Sequence, residues 1–187
     1  MFPPFESVAL PADAVEVGRI GDAWGVKGWF KVLAFSGQPE ALFSSRQWFL
    51  QPPDRGAKTF DGTRVMRVRE SKDHSGTVVA SAHDVDDRSA AEFLRGTRVF
   101  VRRSSFPSTK AEEFYWVDLI GLEVVNREGE SLGHVSELIQ NAAQAVLVMK
   151  YSVDDKVVER MIPFVAAHVD GVDLQGRRIT VDWHTDY

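Results

Sequence analysis

The run GRIGDAWGVKGWFKV, residues 18–32, sets Gly18, Gly21, Gly25 and Gly28 among Lys27, Lys31, Trp24 and Trp29. Glycines interleaved with lysines are the residue types of a phosphate cradle, where bare backbone N–H groups and a cation meet an anion. The spacing rules out two familiar versions. A Walker loop needs G-x-x-x-x-G-K-[ST], but Lys27 is followed by Gly28. A dinucleotide fingerprint needs G-x-G-x-x-G ahead of a helix, whereas these glycines are spaced three, four and three apart. The segment after Gly28, Trp29-Phe30-Lys31-Val32-Leu33, reads as a strand, so no helix N-terminus is offered. The run therefore reads as a strand–loop–strand corner whose glycines allow positive φ or close chain approach.

Other constellations are weaker. The histidines, His74, His83, His134, His168 and His184, show no i+3 or i+4 pairing and no HExxH. Asp86-Asp87 and Asp154-Asp155 are carboxylate pairs, but the first sits where a helix would be capped and the second in a turn. There is no G-x-S-x-G elbow, and the chain has no cysteine, which removes thiolate ligands, thiol nucleophiles and disulfides. Nothing in the pattern argues for an enzyme: no catalytic, metal or cofactor-binding residue is expected. Arg64, Arg67 and Arg69 lie on or near one strand, Arg102-Arg103 close another, and Arg19, Lys27 and Lys31 flank the glycine run. Such cations can neutralise phosphates, with Trp24 stacking on a base. The competing reading is a solvated sheet face with Trp24 packed inward. In EEFYWVDLIG, Phe114, Tyr115 and Trp116 are consecutive aromatics. If they form a strand, at least one faces away from the local core and is an anchor for a partner. Alternatively, they pack internally.

Short strands must position these residues. Val15–Ile20 and Trp29–Phe35 flank the glycine loop, followed by Gln47–Leu50, Thr63–Glu70, Thr77–Ser81 and Val99–Val101. One helix stands out in DVDDRSAAEFLRGTRVFV. Asp86 or Asp87 caps it, Ala90, Ala91, Phe93 and Leu94 form its apolar face, and Gly96 ends it. SSFPSTKAEEF, residues 104–114, is the linker candidate. Beyond it, strands surround the turn Asn126-Arg127-Glu128-Gly129, and Ala145–Tyr151 pairs with Val157–Pro163 across Asp154-Asp155. The last strand is Arg178–Trp183. Strands this short and close suggest a barrel or sandwich in the front half and a small all-β barrel in the back half.

Charge divides the 187 residues unevenly. The net charge of −5 combines a balance of +4 over residues 14–103 with −7 over residues 104–187 and −2 over the first thirteen. No window approaches the ~18 apolar residues of a membrane span, so no membrane association is expected. The opening MFPPFESVALPADA carries three prolines and no basic n-region, and reads as a flexible tail rather than a signal peptide. The expected location is cytoplasmic. No coiled-coil heptad is seen, so a monomer is the default.

Taken in order, GRIGDAWGVKGWFKV, VDDRSAAEFLRGTRVFV, FYWVDLIGLEVVNREGESLGHV and the closing MIPFVAAHVDGVDLQGRRITVDW resemble the ribosome maturation factor RimM family over nearly the whole chain. The resemblance implies a six-stranded, translation-factor-like N-terminal barrel with one short helix over 14–103. It also implies a linker over 104–113 and a C-terminal PRC-barrel over 114–184. It further implies an assembly factor without catalysis or cofactor. Such a factor binds a small-subunit ribosomal protein of the subunit head, the nineteenth, and supports maturation of the small-subunit precursor and its rRNA. Carried onto this chain, the partner-binding residues would be Phe114, Tyr115, Trp116 and Asp118. The ribosome- or RNA-facing loop would comprise Arg19, Trp24, Gly25, Lys27, Gly28 and Lys31. The chain departs from the family pattern at Trp24 (usually histidine), at Trp29 (usually acidic), and at Phe114 (usually tyrosine). The rival function is a general RNA-binding barrel with a PRC-type partner-binding domain and no ribosomal role.

Overall fold

The computed structural model describes residues 1–35, 39–107 and 114–186. The chain is mainly β and divides into two compact units, Met1–Ser108 and Thr109–Tyr187. In chain order the first unit holds β1 (Glu6–Val8), β2 (Ala14–Trp24), β3 (Trp29–Ala34), α1 (Glu40–Ser44), β4 (Gln47–Gln51), β5 (Thr63–His74), β6 (Thr77–Ala82), α2 (Arg88–Phe93) and β7 (Arg98–Arg102). Six of these strands close a barrel in the antiparallel order β5-β4-β7-β2-β3-β6 and back to β5.

Alternation decides which side chains fill it. Along β3, Phe30 and Val32 are buried while Lys31 and Leu33 face out. The same logic on the other strands brings Ile20, Trp48, Leu50, Met66, Val99 and Val101 into one core. Closure needs bent strands. β2 carries bulges between Glu16 and Gly18 and between Ile20 and Ala23, and β5 one between Val68 and Glu70. A bulge coils a strand this way.

The opening segment differs from the expected flexible tail. β1 pairs with the first residues of β5, Glu6 opposite Val65 and Val8 opposite Thr63. Phe5 is buried, and the Phe2 ring lies 4.4 Å from Phe60 and 5.6 Å from Phe5. These aromatic anchors outweigh the prolines between which they sit. α2 follows expectation at its start, where the Asp87 carboxylate accepts from Ala90 N at 2.8 Å. Its apolar face is narrower than expected: Ala91 and Leu94 are buried, but Phe93 is exposed.

Within the expected linker, Arg103–Ser105 form one turn of 3-10 helix, and Ser104 Oγ donates to Asp13 at 3.2 Å. Burial pushes the Asp13 carboxyl up, but the Ser104 hydrogen bonds and the Arg102 charge outweigh it and hold the group below its usual range. Residues 108–113 of that segment lie outside the described residues.

The second unit contains α3 (Trp116–Leu119), β8 (Glu123–Asn126), β9 (Ser131–Gln140), β10 (Ala145–Val153), β11 (Lys156–Pro163), β12 (Val169–Asp173) and β13 (Arg178–Val181). Its sheet runs β11-β10-β9-β8-β13-β12, antiparallel except for the parallel pair β8–β13. The β10–β11 hairpin turns at Asp154 and Asp155, both at positive φ, as a two-residue turn between twisted strands requires. A separate core gathers Leu119, Leu122, Val124, Leu132, Leu147, Met149, Ile162 and Ile179. β12 has no counterpart in the sequence pattern, and β13 ends at Val181 rather than Trp183.

Candidate functional site

The glycine run is a hairpin. Gly25–Gly28 joins β2 to β3, and Trp24 pairs in register with Trp29 at its neck. The two indoles meet edge to face at 5.8 Å, and the Trp24 ring lies 5.0 Å from the His74 ring at the end of β5. Lys72 Nζ sits 4.7 Å from the Trp29 ring centroid, a cation–π arrangement. Trp24 is thus half-buried between its own hairpin and the β5–β6 hairpin, which favours the packed reading of this residue.

Two further contacts hold the loop. Arg88 Nη1, on α2, donates to the Gly25 carbonyl at 3.2 Å. Gly28 is buried at φ +87°, and a Cβ there would collide with the Val85 carbonyl. The glycine is needed because backbone meets backbone at that point. Lys27, Lys31 and Val26 remain exposed. The structure therefore joins Trp24, Gly25, Lys27 and Gly28 in one clamped loop, with Lys31 on the outer face of β3. Arg19 stands apart: it pairs with Asp54 at 2.6 Å and lies over the Phe35 ring at 5.9 Å. Lys72, His74 and Arg88 belong to this neighbourhood yet carry no sequence signal, because β5, β6 and α2 reach it only through long-range pairing and docking.

The aromatic segment of the second unit is not a strand. Tyr115 precedes α3 as its N-cap residue, and Asp118 N donates back to the Tyr115 carbonyl at 2.9 Å. The Tyr115 ring is buried, while Phe114 and Trp116 are half-buried against the second core. Phe114 contacts Phe164 edge-on at 6.5 Å. It also lines a cleft of about 560 Å³ with Phe164, Val165, Val169 and Val172. Asp118 is half-buried on α3, and Ile120 beyond it is exposed. Phe164, Val165, Val169 and Val172 come from a stretch whose β12 pattern is too short to stand out in the sequence.

At one rim of that cleft Asp170 receives both arms of Arg127, at 2.8 and 2.9 Å, and Arg127 also reaches Asp182 at 3.0 Å. The hydrogen bond from Arg127 holds the Asp170 carboxyl below its usual range and raises the Arg127 guanidinium. This pair ties the β8–β9 turn to β12 and to the residue after β13. No three His, Asp or Glu side chains gather as a metal site among the described residues.

Two family models match this chain. One, described as the RimM N-terminal domain, covers residues 15–106, and the other, the RimM PRC barrel domain, covers residues 116–187. The chain belongs to the RimM family. It is 63% identical over 187 residues to the ribosome maturation factor RimM of Albidiferax ferrireducens, covering 100% of both chains. It is 60% identical over 187 residues to the RimM of Paracidovorax citrulli, covering 99% of this chain and 98% of that one. Among solved structures it is similar to a Pseudomonas aeruginosa RimM described as a 16S ribosomal RNA processing protein. That likeness has 28% identity and a TM-score of 0.44, covering 94% of this chain and 100% of that one. The hairpin lies in the part matched by the first RimM model, and α3 with its cleft in the part matched by the second. No helix among the described residues is long and apolar enough to cross a membrane.

Proposed function

We propose that this chain is a ribosome maturation factor. It binds the small-subunit ribosomal protein of the subunit head, the nineteenth, and assists maturation of the small-subunit precursor and processing of its rRNA. It works by binding and release, as a cytoplasmic monomer, with no covalent step. The observation that carries the maturation role is the full-length identity of 63% to a relative named ribosome maturation factor RimM. The working division is a barrel over 14–103, a linker over 104–113 and a PRC-barrel over 114–184.

The partner-binding surface is the α3 end of the second unit. Phe114, Trp116 and Asp118 present the contact, and buried Tyr115 holds them in place. Half-buried aromatics beside a cleft are good anchors, and the −7 balance over residues 104–187 favours a basic protein. The clamped hairpin, with Lys27 and Lys31 exposed, faces the particle from the first unit. The test combines a lysate pull-down with binding of the purified ribosomal protein to the Phe114→Ala/Trp116→Ala variant. Recovery of small-subunit particles and at least a tenfold weaker affinity in the variant support the reading. Recovery of mixed RNA alone favours the general RNA-binding rival. Unchanged affinity with reduced thermal stability makes the aromatics internal packing.

A further inference from the structure

A second cationic feature lies where β4 and β5 meet the residue after β6. Three segments are laced together there by their backbones. Val68 N donates to the Arg46 carbonyl at 2.9 Å, and His83 N to the Arg67 carbonyl at 2.9 Å. Arg46 Nη1 donates to the Arg69 carbonyl at 2.8 Å. The result is an open groove of about 560 Å³ lined by Arg46, Gln47, Arg67, Val68, Arg69 and His83. A second depression shares Arg67 and His83 and continues past Pro4, Glu6 and Asp84. Together they form one track across β5 and β1.

Two of the three arginines in the first groove, Arg46 and Arg67, have no carboxylate partner among the described residues. Arg46 is hydrogen-bonded to a carbonyl, which leaves its charge intact. Arg67 is exposed and has no carboxylate partner among the described residues. Arg69 is shared, 3.1 Å from Asp86 and 3.4 Å from His83 Nδ1. Glu6 and Asp84 stand at the far end of the track. Arg46 and Arg67 share one groove without a carboxylate between them, and an anion entering there meets two like charges.

We propose that the arginine-lined groove seats the phosphodiester backbone of an RNA strand, with Arg46 and Arg67 as its principal phosphate contacts. The inference rests on the ribosomal reading above for its choice of RNA, while the site itself is carried by geometry. Guanidinium forks match phosphate oxygens in pairs. The lining has no exposed Phe, Tyr or Trp side chain, since Phe5 is buried. A protein partner would find no aromatic anchor there, and a phosphate backbone needs none.

The test is fluorescence anisotropy of the intact protein with a labelled twelve-nucleotide oligouridylate, titrated between 50 and 300 mM salt. Arg46→Gln/Arg67→Gln is compared with Arg55→Gln/Lys58→Gln, which removes the same charge from an exposed turn. The groove variant should bind at least fivefold more weakly at 100 mM salt. Its slope of log affinity against log salt should shrink by about 1.4, at ~0.7 per phosphate contact on a single strand. Arg67→Gln alone should give about half that change, and melting curves establish that each variant is folded. An unchanged slope, an equal change in the control, or no binding by the wild type at 50 mM salt overturns the proposal. Displacement of the RNA by polyglutamate at equal charge also overturns it, in favour of an acidic protein ligand. Co-sedimentation with small-subunit particles separates the two levels. A wild-type protein that does not co-sediment sinks the ribosomal reading. A groove variant that co-sediments with the wild-type salt slope sinks only the groove.

Discussion

Replacing Gly28 and Gly25 by alanine, one at a time, separates the two reasons a glycine is needed in the β2–β3 hairpin. Both residues sit at positive φ, +87° and +75°. An L-residue held in that region costs about 1–2 kcal/mol. At Gly25 nothing lies within 4 Å of the added Cβ, so Gly25→Ala should cost only that. At Gly28 the Cβ meets the carbonyl of Val85 and the backbone of Asp86. Val85 is buried, and its neighbours lead directly into the Asp87 cap of α2, so the obstructing backbone has no easy way to retreat. Overpacking against such a neighbour adds about 1–3 kcal/mol. Gly28→Ala should therefore cost about 2–5 kcal/mol. The assay is urea denaturation followed by indole NMR signals, with Trp24, Trp29 and Trp48 reporting on the first unit and Trp116 and Trp183 on the second. With a denaturant slope of about 2 kcal/mol per molar, the first-unit midpoint of Gly28→Ala should fall roughly 0.5–1.5 M below that of Gly25→Ala. The second unit's midpoint should stay in place. Coincident first-unit midpoints, or a larger loss in Gly25→Ala, would refute the close-approach argument.

Two further outcomes follow from the packing and the charges. Trp24→Ala removes ring contacts to Trp29 and His74 and should lower stability by about 1–2 kcal/mol. Co-sedimentation with small-subunit particles should persist; full stability with lost co-sedimentation would make Trp24 a contact residue. For Asp170, the folded carboxyl titrates below the unfolded value of about 3.9. Its contribution to stability is therefore present above that pH and lost as pH falls through the folded value. Between pH 5 and pH 2, Asp170→Asn should show a shallower loss of second-unit stability than the wild type, and an identical profile would refute the coupling.

Barrel closure is legible wherever apolar alternation is strong. Phe30 and Val32 against Lys31 and Leu33 define β3 from the residue pattern alone, and Asp87 announces the start of α2. Three features are hidden for physical reasons. Proline-rich composition masks β1, because pairing with β5 and the Phe2–Phe5–Phe60 contacts are tertiary. Three aromatics in a row read as strand by propensity, yet Trp116–Leu119 closes one helical turn because Leu119 and Trp116 both reach the second core. β12 carries Gly171 and two aspartates in five residues, too weak a pattern to outweigh turn signals until β13 pairs with it. Of the candidate site, the hairpin and its glycines are readable, while Lys72, His74 and Arg88 are not, since nothing local places them beside Trp24.

Ion pairing changes what the sequence charge means. The +4 balance over residues 14–103 suggests a diffusely basic surface. In the folded unit Arg98 reaches Glu16 and Asp54, and Arg19 shares Asp54. Arg88 pairs with Glu92, Arg95 with Asp22, and Arg102 with Asp13. Each such pair is worth little for stability at the surface, but it cancels most of the field that its arginine would project. The cations left to act outward include Lys27 and Lys31 on the hairpin and Arg46 and Arg67 in the groove. Both sets of cations sit beside backbone contacts, the Arg88 and Val85 clamp in one case and the Arg46–Val68 and Arg67–His83 bonds in the other. Cations fixed on rigid supports lose less side-chain and loop freedom on binding. In the hairpin turn it is Gly28, rather than Gly25, that lets the backbone pack closely against Val85 and Asp86.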